Sequence, residues 1–111
     1  MPLALLACLL LSAPLADAAQ LLQVRGATQL QVGDRNRHYQ VDLACVQVSP
    51  AVDAEAASWL KHELPRGTKL NIRPLHAEGE ELSARVIRLD NGQDLGEALI
   101  QAGLAQAHPC G

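Results

Sequence analysis

Residues 39–45 read Tyr-Gln-Val-Asp-Leu-Ala-Cys, and this alternation of apolar and polar side chains has the two-residue period of a β-strand. One face of the strand carries Tyr39, Val41, Leu43 and Cys45. The turn-forming residues 33–36, Gly-Asp-Arg-Asn, precede it. Ser49 and Pro50 follow it in the order that favours a helix start, with serine as the N-cap and proline in the first turn. The stretch therefore predicts a strand placed between a turn and a helix.

Further strands are expected on both sides of this unit. Upstream, residues 21–24 and 30–32 are short β-like stretches. Downstream of a helix of about fourteen residues, residues 68–73 and 82–86 alternate again. We expect Pro74 to end the fourth strand or to confine it to a sheet edge.

A second helix follows the last strand. Asp94, with Glu97 three residues later, has the pattern of a capping box, and Gly103 suits the left-handed position after the last turn. The predicted order of elements is β-β-β-α-β-β-α. Five short strands with a helix between the third and the fourth predict a mainly β, α+β domain, built as a five-stranded OB-fold barrel with two helices.

The composition argues against several classes of protein. Nine Lys and Arg residues against twelve Asp and Glu residues give a net charge of −3, unlike a typical basic nucleic-acid binder. Tyr39 and Trp59 are the only aromatic residues, so base stacking has little support. Trp59 lies at helical spacing from apolar residues, and we interpret it as part of the core.

Residues 1–18 have the features of an export signal. Residues 2–16 carry no charged side chain and are rich in leucine, but the run is shorter than the ~20 residues that cross a bilayer. The pair Ala16-x-Ala18 is typical of a signal-peptidase site. We predict a cleaved signal peptide at residues 1–18 and a mature domain at residues 19–111. The domain would be exported to a periplasm, a lumen or the cell exterior, with no stable membrane span after cleavage.

Cleavage would also change the cysteine content. Cys8 would leave with the signal, and Cys45 and Cys110 would remain as an even pair in an oxidising compartment. We predict that this pair forms a disulfide. Three alternatives for the N-terminus stay open: a retained anchor, a helix of a cytosolic protein, and lipid attachment at Cys8 within Leu5-Leu6-Ala7-Cys8.

Four stretches together resemble one known family. They are residues 25–28 (Arg-Gly-Ala-Thr), 41–47 (Val-Asp-Leu-Ala-Cys-Val-Gln), 90–92 (Asp-Asn-Gly) and 95–105 (Leu-Gly-Glu-Ala-Leu-Ile-Gln-Ala-Gly-Leu-Ala). In order and spacing, the span from about residue 23 to residue 106 resembles the staphylococcal nuclease (thermonuclease) family. Residues 25–28 are similar to the family's Asp-Gly-Asp-Thr, and residues 41–47 are similar to its Val-Arg-Leu-Ala-Cys-Ile-Asp strand. The resemblance implies a five-stranded OB barrel.

The residues that would perform the family's chemistry are replaced. The resemblance implies a calcium ion held by carboxylates, a water activated by a carboxylate, and two arginines at the phosphorus centre. The two metal-binding carboxylates fall on Ala27 and Gln47, and the carboxylate base falls on Pro50. The two arginines fall on Asp42 and Ser83. Arg85 is a candidate substitute for the second arginine, since a shift of two residues keeps the same strand face. We predict no metal, no other cofactor and no calcium-dependent nuclease activity.

Two charged turns are the remaining candidates for binding. Residues 35–38 contain the basic cluster Arg35, Arg37 and His38, which could touch a phosphate or a partner. Residues 78–81 form an acidic turn, Glu-Gly-Glu-Glu. We interpret both as solvated hairpin tips.

These observations favour an exported, catalytically inactive thermonuclease-like module that binds a protein or a small ligand as a monomer. Two alternatives stay open. One is a metal-dependent phosphodiester hydrolase with a rearranged site. The other is a weak oligonucleotide binder, which the negative net charge disfavours.

We expect the exported protein to begin at or near Ala19, because the small residues Ala16 and Ala18 follow an uncharged leucine-rich run. Intact-mass measurement of the exported protein checks this. A product that still carries Met1, or a lipid on Cys8, contradicts it.

Overall fold

The computed structural model describes residues 18–110, so the predicted signal segment lies outside the described residues apart from Ala18. The elements are β1 (Ala19–Val24), β2 (Gln29–Asp34), β3 (Arg37–Leu43), β4 (Val46–Gln47), a 3-10 turn (Pro50–Val52), α1 (Asp53–Glu63), β5 (Lys69–Glu78), β6 (Glu81–Arg88), α2 (Leu95–Gln101) and β7 (Gln106–Ala107). Over residues 18–110, neither helix has the length and apolar content that crossing a membrane requires.

Five of the strands close into a barrel in the order β1-β2-β3-β6-β5. Neighbouring strands are antiparallel, except that β3 and β6 run parallel over residues 40–43 of β3. The prediction of a mainly β domain with a five-stranded barrel and two helices is confirmed, and the arrangement is consistent with an OB-like barrel. β4 and β7 form a separate two-stranded sheet that the sequence pattern did not predict.

The core lies inside the barrel because alternate residues of each strand point there. The strand residues without exposed surface are Leu30, Val32, Val41, Ala84 and Val86. α1 adds the fully enclosed Ala56 and Leu60 to the same core, while Trp59 packs against it partly buried. Trp59 therefore packs at the border of the core, which agrees only in part with its interpretation as a core residue.

Capping side chains set the starts of both helical segments. The Ser49 hydroxyl accepts a hydrogen bond from the backbone N–H of Ala51 at 3.2 Å. The chain then makes the 3-10 turn before α1, so the predicted first helix spans residues 50–63 in two parts. At α2, the Asp94 carboxylate accepts a hydrogen bond from the backbone N–H of Glu97 at 3.2 Å, as an N-cap does.

α2 ends in a Schellman motif around Gly103. This glycine has a φ of +78°, in the left-handed region that residues with a Cβ avoid. Its N–H donates to the carbonyl of Ile100 at 3.0 Å, and the N–H of Leu104 donates to the carbonyl of Leu99 at 2.9 Å. Leu104 is buried in the core, which fixes the direction of the chain after the helix.

Pro74 does not end β5, which continues to Glu78. Among the described residues, β1 pairs with β5 only at Leu70 and Lys69, so the part of β5 around Pro74 has β6 as its one partner. The register with β6 shifts directly after Pro74, which marks a bulge. Of the two outcomes predicted for Pro74, an end of the strand or confinement to a sheet edge, the structure agrees with confinement to an edge.

The C-terminal segment is fastened to the turn between β3 and β4. β4 pairs with β7, and the N–H of His108 donates to the carbonyl of Cys45 at 2.9 Å. The predicted disulfide between Cys45 and Cys110 is present, with Cα atoms 4.6 Å apart. Cys45 has a φ of +68°, an unfavourable conformation for a residue with a Cβ.

We expect the double substitution Cys45→Ala, Cys110→Ala to lower the free energy of unfolding by about 4 kcal/mol, because the crosslink joins residues 65 apart in the unfolded chain. Combining Cys110→Ala with Cys45→Gly should recover about 1 kcal/mol, since glycine adopts the left-handed conformation without a steric cost. Urea denaturation of the oxidised proteins measures both differences. Equal stability of the parent and the alanine double variant would contradict the first expectation.

Candidate functional site

Ala27, the first of the replaced family positions, lies in the loop between β1 and β2. It is 5% exposed and belongs to the core cluster. The carbonyl of the next residue, Thr28, accepts a hydrogen bond from the N–H of Leu43 at 2.8 Å, which holds the loop against β3. A buried methyl group at this position packs well and supplies no ligand atom.

Asp42 and Ser83 are direct neighbours across the parallel ladder of β3 and β6. Val41 and Leu43 are buried inside the barrel, so Asp42 points to the outer face. Within residues 18–110, Oδ1 of Asp42 is buried and has no hydrogen-bond partner. A carboxylate oxygen that loses water without gaining a partner destabilises the fold. We call this part of the outer face, Asp42 with Ser83, the Asp42 face.

Gln47 and Pro50 lie beyond the end of β3. Gln47 is exposed in β4, opposite Gln106 of β7. Pro50 is exposed at the start of the 3-10 turn. The barrel ladders thus bring Asp42 and Ser83 together, whereas Gln47 belongs to the separate sheet and Pro50 to the turn that leads into α1.

Arg85 lies two residues after Ser83 on the same face of β6. Its Nε donates to Oδ2 of Asp94 at 3.1 Å, and the Arg85 side chain is about half exposed. Asp94 also caps α2 through Oδ1, so one carboxylate serves both the helix end and the arginine. The charge of the candidate substitute arginine is therefore already compensated by the helix cap.

The Asp42 face combines a carboxylate, one oxygen of which has no hydrogen-bond partner in the described chain, with a neighbouring hydroxyl group. Such a surface accepts hydrogen bonds and repels phosphate, whereas phosphoryl transfer requires positive charge at the developing negative centre. Over residues 18–110, no group of three or more His, Cys, Asp or Glu side chains is arranged to hold a metal ion.

A groove of about 840 Å³ opens beside the start of β1, and the sequence did not predict it. Leu70, Ile72 and Pro74 of β5 line one wall, and Tyr39 of β3 and Leu82 of β6 line the other. The volume lies within the range of about 300–1,000 Å³ that is typical of ligand pockets. We call this concavity the groove.

Incomplete strand pairing creates the groove. β3 pairs with β6 from Gln40 onward, so residues 37–39 have β2 as their one strand partner in the described chain. On the opposite wall, β5 has no β1 partner after Leu70 within residues 18–110. At this end of the closed barrel a gap therefore lies between the two segments, and the apolar side chains of Ile72 and Leu82 are only partly buried there.

The rim of the groove is net negative. Asp34, Glu80 and Glu81 contribute three carboxylates, and Arg37 contributes one positive charge. His38 also lines the rim. Glu80 lies in the turn between β5 and β6 and Glu81 is the first residue of β6, in the region that the sequence indicated to be a solvated tip.

Tyr39 is the aromatic group of the groove. The Arg37 guanidinium lies 5.8 Å from the centroid of its ring, a cation–π distance. Burial raises the pKa of the Tyr39 phenol, the Asp34 carboxylate raises it further, and Arg37 opposes both effects. The phenol therefore stays protonated at neutral pH and can donate a hydrogen bond within the groove.

The charged turns at residues 35–38 and 78–81 were the signal in the sequence that pointed to this region. Arg37, His38, Glu80 and Glu81 all line the groove, whereas Arg35 does not. No model of a protein family matches the chain, and no curated protein matches it. The barrel, the Asp42 face and the groove are therefore the features from which a function can be assigned.

We expect Asp42→Thr to raise the free energy of unfolding by about 1 kcal/mol, because it removes the buried carboxylate oxygen that lacks a partner and places a β-branched residue in a strand. Gln40→Thr, two residues earlier on the same face of β3, is the matched control and should change stability by no more than about 0.5 kcal/mol. Urea denaturation compares the two. A loss of stability in Asp42→Thr relative to the control would mean that the carboxylate has a stabilising partner.

Proposed function

We propose that this protein is an exported binding module that has the barrel of the thermonuclease-like family without its catalytic chemistry, and that the groove binds a protein segment or a small ligand. The observation that carries the proposal is the groove itself. Its lining combines apolar residues such as Ile72 and Leu82 with a partly buried phenol and a few charged groups, and its volume suits a ligand.

The replaced positions support the absence of nuclease chemistry. Ala27, Gln47 and Pro50 offer no carboxylate for calcium or for activating water. Asp42 puts negative charge where the resemblance places an arginine, and Arg85 is paired with Asp94. Losing one transition-state arginine costs on the order of 10³ to 10⁵ in rate in phosphoryl-transfer enzymes.

Two structural features support the family and the location in this proposal. The closed five-stranded barrel with two helices is the architecture that the thermonuclease resemblance implies. The Cys45–Cys110 disulfide is compatible with an oxidising, exported environment. The module acts as a monomer in this proposal and has no resident cofactor.

We expect the mature protein to leave single-stranded DNA and RNA intact in excess Ca²⁺, Mg²⁺ or Mn²⁺ at several pH values. Gel analysis against a heat-killed control measures this. Metal-dependent cleavage that Asp42→Asn abolishes would show that a rearranged site has replaced the family's site. Tight oligonucleotide binding with a steep salt dependence would instead favour the nucleic-acid alternative.

We expect the uncharged dye Nile red to bind in the groove with increased fluorescence, and Leu89→Ser to weaken that binding. Leu75→Ser is the matched control, because Leu89 and Leu75 are similarly exposed, at 52% and 50%, but only Leu89 lines the groove. Removing one apolar contact of this size should weaken binding about threefold to tenfold. Equal loss in both variants, or no dye binding at all, would contradict a ligand-binding groove.

A further inference from the structure

Within residues 18–110, β5 has no strand partner on its β1 side beyond Leu70, and this part of its backbone edge lies in the groove. The carbonyl of Thr68 accepts a hydrogen bond from Leu21 of β1, and the carbonyl of Lys69 accepts one from Leu89 on the β6 side. Backbone groups of successive residues in a strand point in opposite directions. The N–H and C=O of Ile72 therefore point to the β1 side of β5, beyond the pair of Ala19 with Leu70 that begins the described ladder.

This open edge is short. Pro74 is the next residue whose backbone faces the β1 side, and it has a carbonyl but no N–H. The register shift with β6 follows directly after Pro74. Proline and bulges on edge strands prevent long strand-to-strand association. The edge can therefore take a short extended segment, whereas a second copy of β5 would meet the proline and the bulge.

The side-chain environment of the edge selects the chemistry of such a segment. A strand beside Ile72 would direct alternate side chains toward the apolar walls formed by Leu70 and Leu82. The rim above the walls has the three carboxylates of Asp34, Glu80 and Glu81 against one arginine. A segment with a basic residue complements this rim, and an acidic one does not.

We infer that the groove binds a short extended peptide segment, apolar at alternate positions and carrying basic residues, which adds as a strand to the edge of β5 at Ile72. The inference rests on the proposed binding function and specifies the class of ligand. Main-chain hydrogen bonds to Ile72 supply part of the affinity, and the groove walls and acidic rim supply the selectivity.

The test uses the oxidised mature protein and capped seven-residue peptides. The first is Thr-Val-Lys-Val-Lys-Val-Thr, and another has Glu in place of both Lys. Two further versions of the first carry N-methyl groups on one or the other alternate set of backbone amides. Fluorescence anisotropy gives the affinities, and hydrogen exchange followed by NMR reports protection of the Ile72 amide.

We expect the Lys peptide to bind and to slow exchange of the Ile72 amide, while the Glu peptide binds about tenfold more weakly at low salt, a difference that shrinks at high salt. One N-methylated version should lose at least about fivefold in affinity, and the other should bind almost unchanged, since only one set of amides faces β5.

Variants of the rim separate charge recognition from general electrostatics. The double variant Glu80→Gln, Glu81→Gln should weaken binding of the Lys peptide about tenfold at low salt. Glu78→Gln is the matched control, because Glu78 is a neighbouring, exposed carboxylate that does not line the groove. If the double variant and Glu78→Gln weakened binding of the Lys peptide equally, the rim carboxylates would not contact the peptide.

Equal binding of both N-methylated versions, or binding without protection of Ile72, would overturn strand addition. Failure of both peptides to bind while Nile red binds in a Leu89-dependent manner would overturn the peptide inference and leave the proposed binding function standing. If Nile red did not bind either, the proposed binding function would be wrong as well. Protection of Ile72 by self-association, without added peptide, would assign the edge to a second copy and contradict the inference.

Discussion

The parallel pairing of β3 with β6 is the constraint on which the rest of the structure depends. Parallel neighbours cannot be joined by a tight turn, so the chain between them must leave the barrel and return. In this protein that excursion contains β4, the 3-10 turn, α1 and β5. The excursion supplies the helix that contributes Ala56 and Leu60 to the core, and it delivers β5 to its position between β6 and β1.

The same pairing determines where the gap at one end of the barrel lies. The β3–β6 ladder begins at Gln40, so residues 37–39 of β3 border a gap. The part of β5 after Leu70 borders the same gap on its other side. In the described part of the chain, the gap lies beyond the start of β1 at Ala19 and before the start of β6 at Glu81. The groove is thus a consequence of strand lengths and register, and its apolar walls are the ends of the core rather than a separate surface patch.

The sequence predicted those features that depend on neighbouring residues. Alternation identified β3, β5 and β6, Ser49 and Asp94 identified the helix starts, and Gly103 identified the end of α2. Features that depend on register between distant residues were not predictable from one sequence. The proximity of the turns at residues 35–38 and 78–81 is one example. The pairing of Arg85 with Asp94, which removes the free charge of the candidate arginine, is another. The family positions Ala27, Asp42, Gln47, Pro50 and Ser83, the signal peptide and the absence of catalysis stay predictions.

The disulfide gives the molecule the topology of a closed ring with one long tail. The ring runs from Cys45 through α1, β5, β6 and α2 to Cys110, and the tail contains β1, β2 and β3. A single protease cut inside the ring, for example at the exposed turn after Glu78, would leave one covalently connected molecule. A cut in the loop between β2 and β3 would instead release the first two strands from any covalent link to the remainder. After a cut between β2 and β3, the groove residues of β3, β5 and β6 therefore stay covalently connected, whereas Ala19 of β1 and Asp34 of β2 are separated from them.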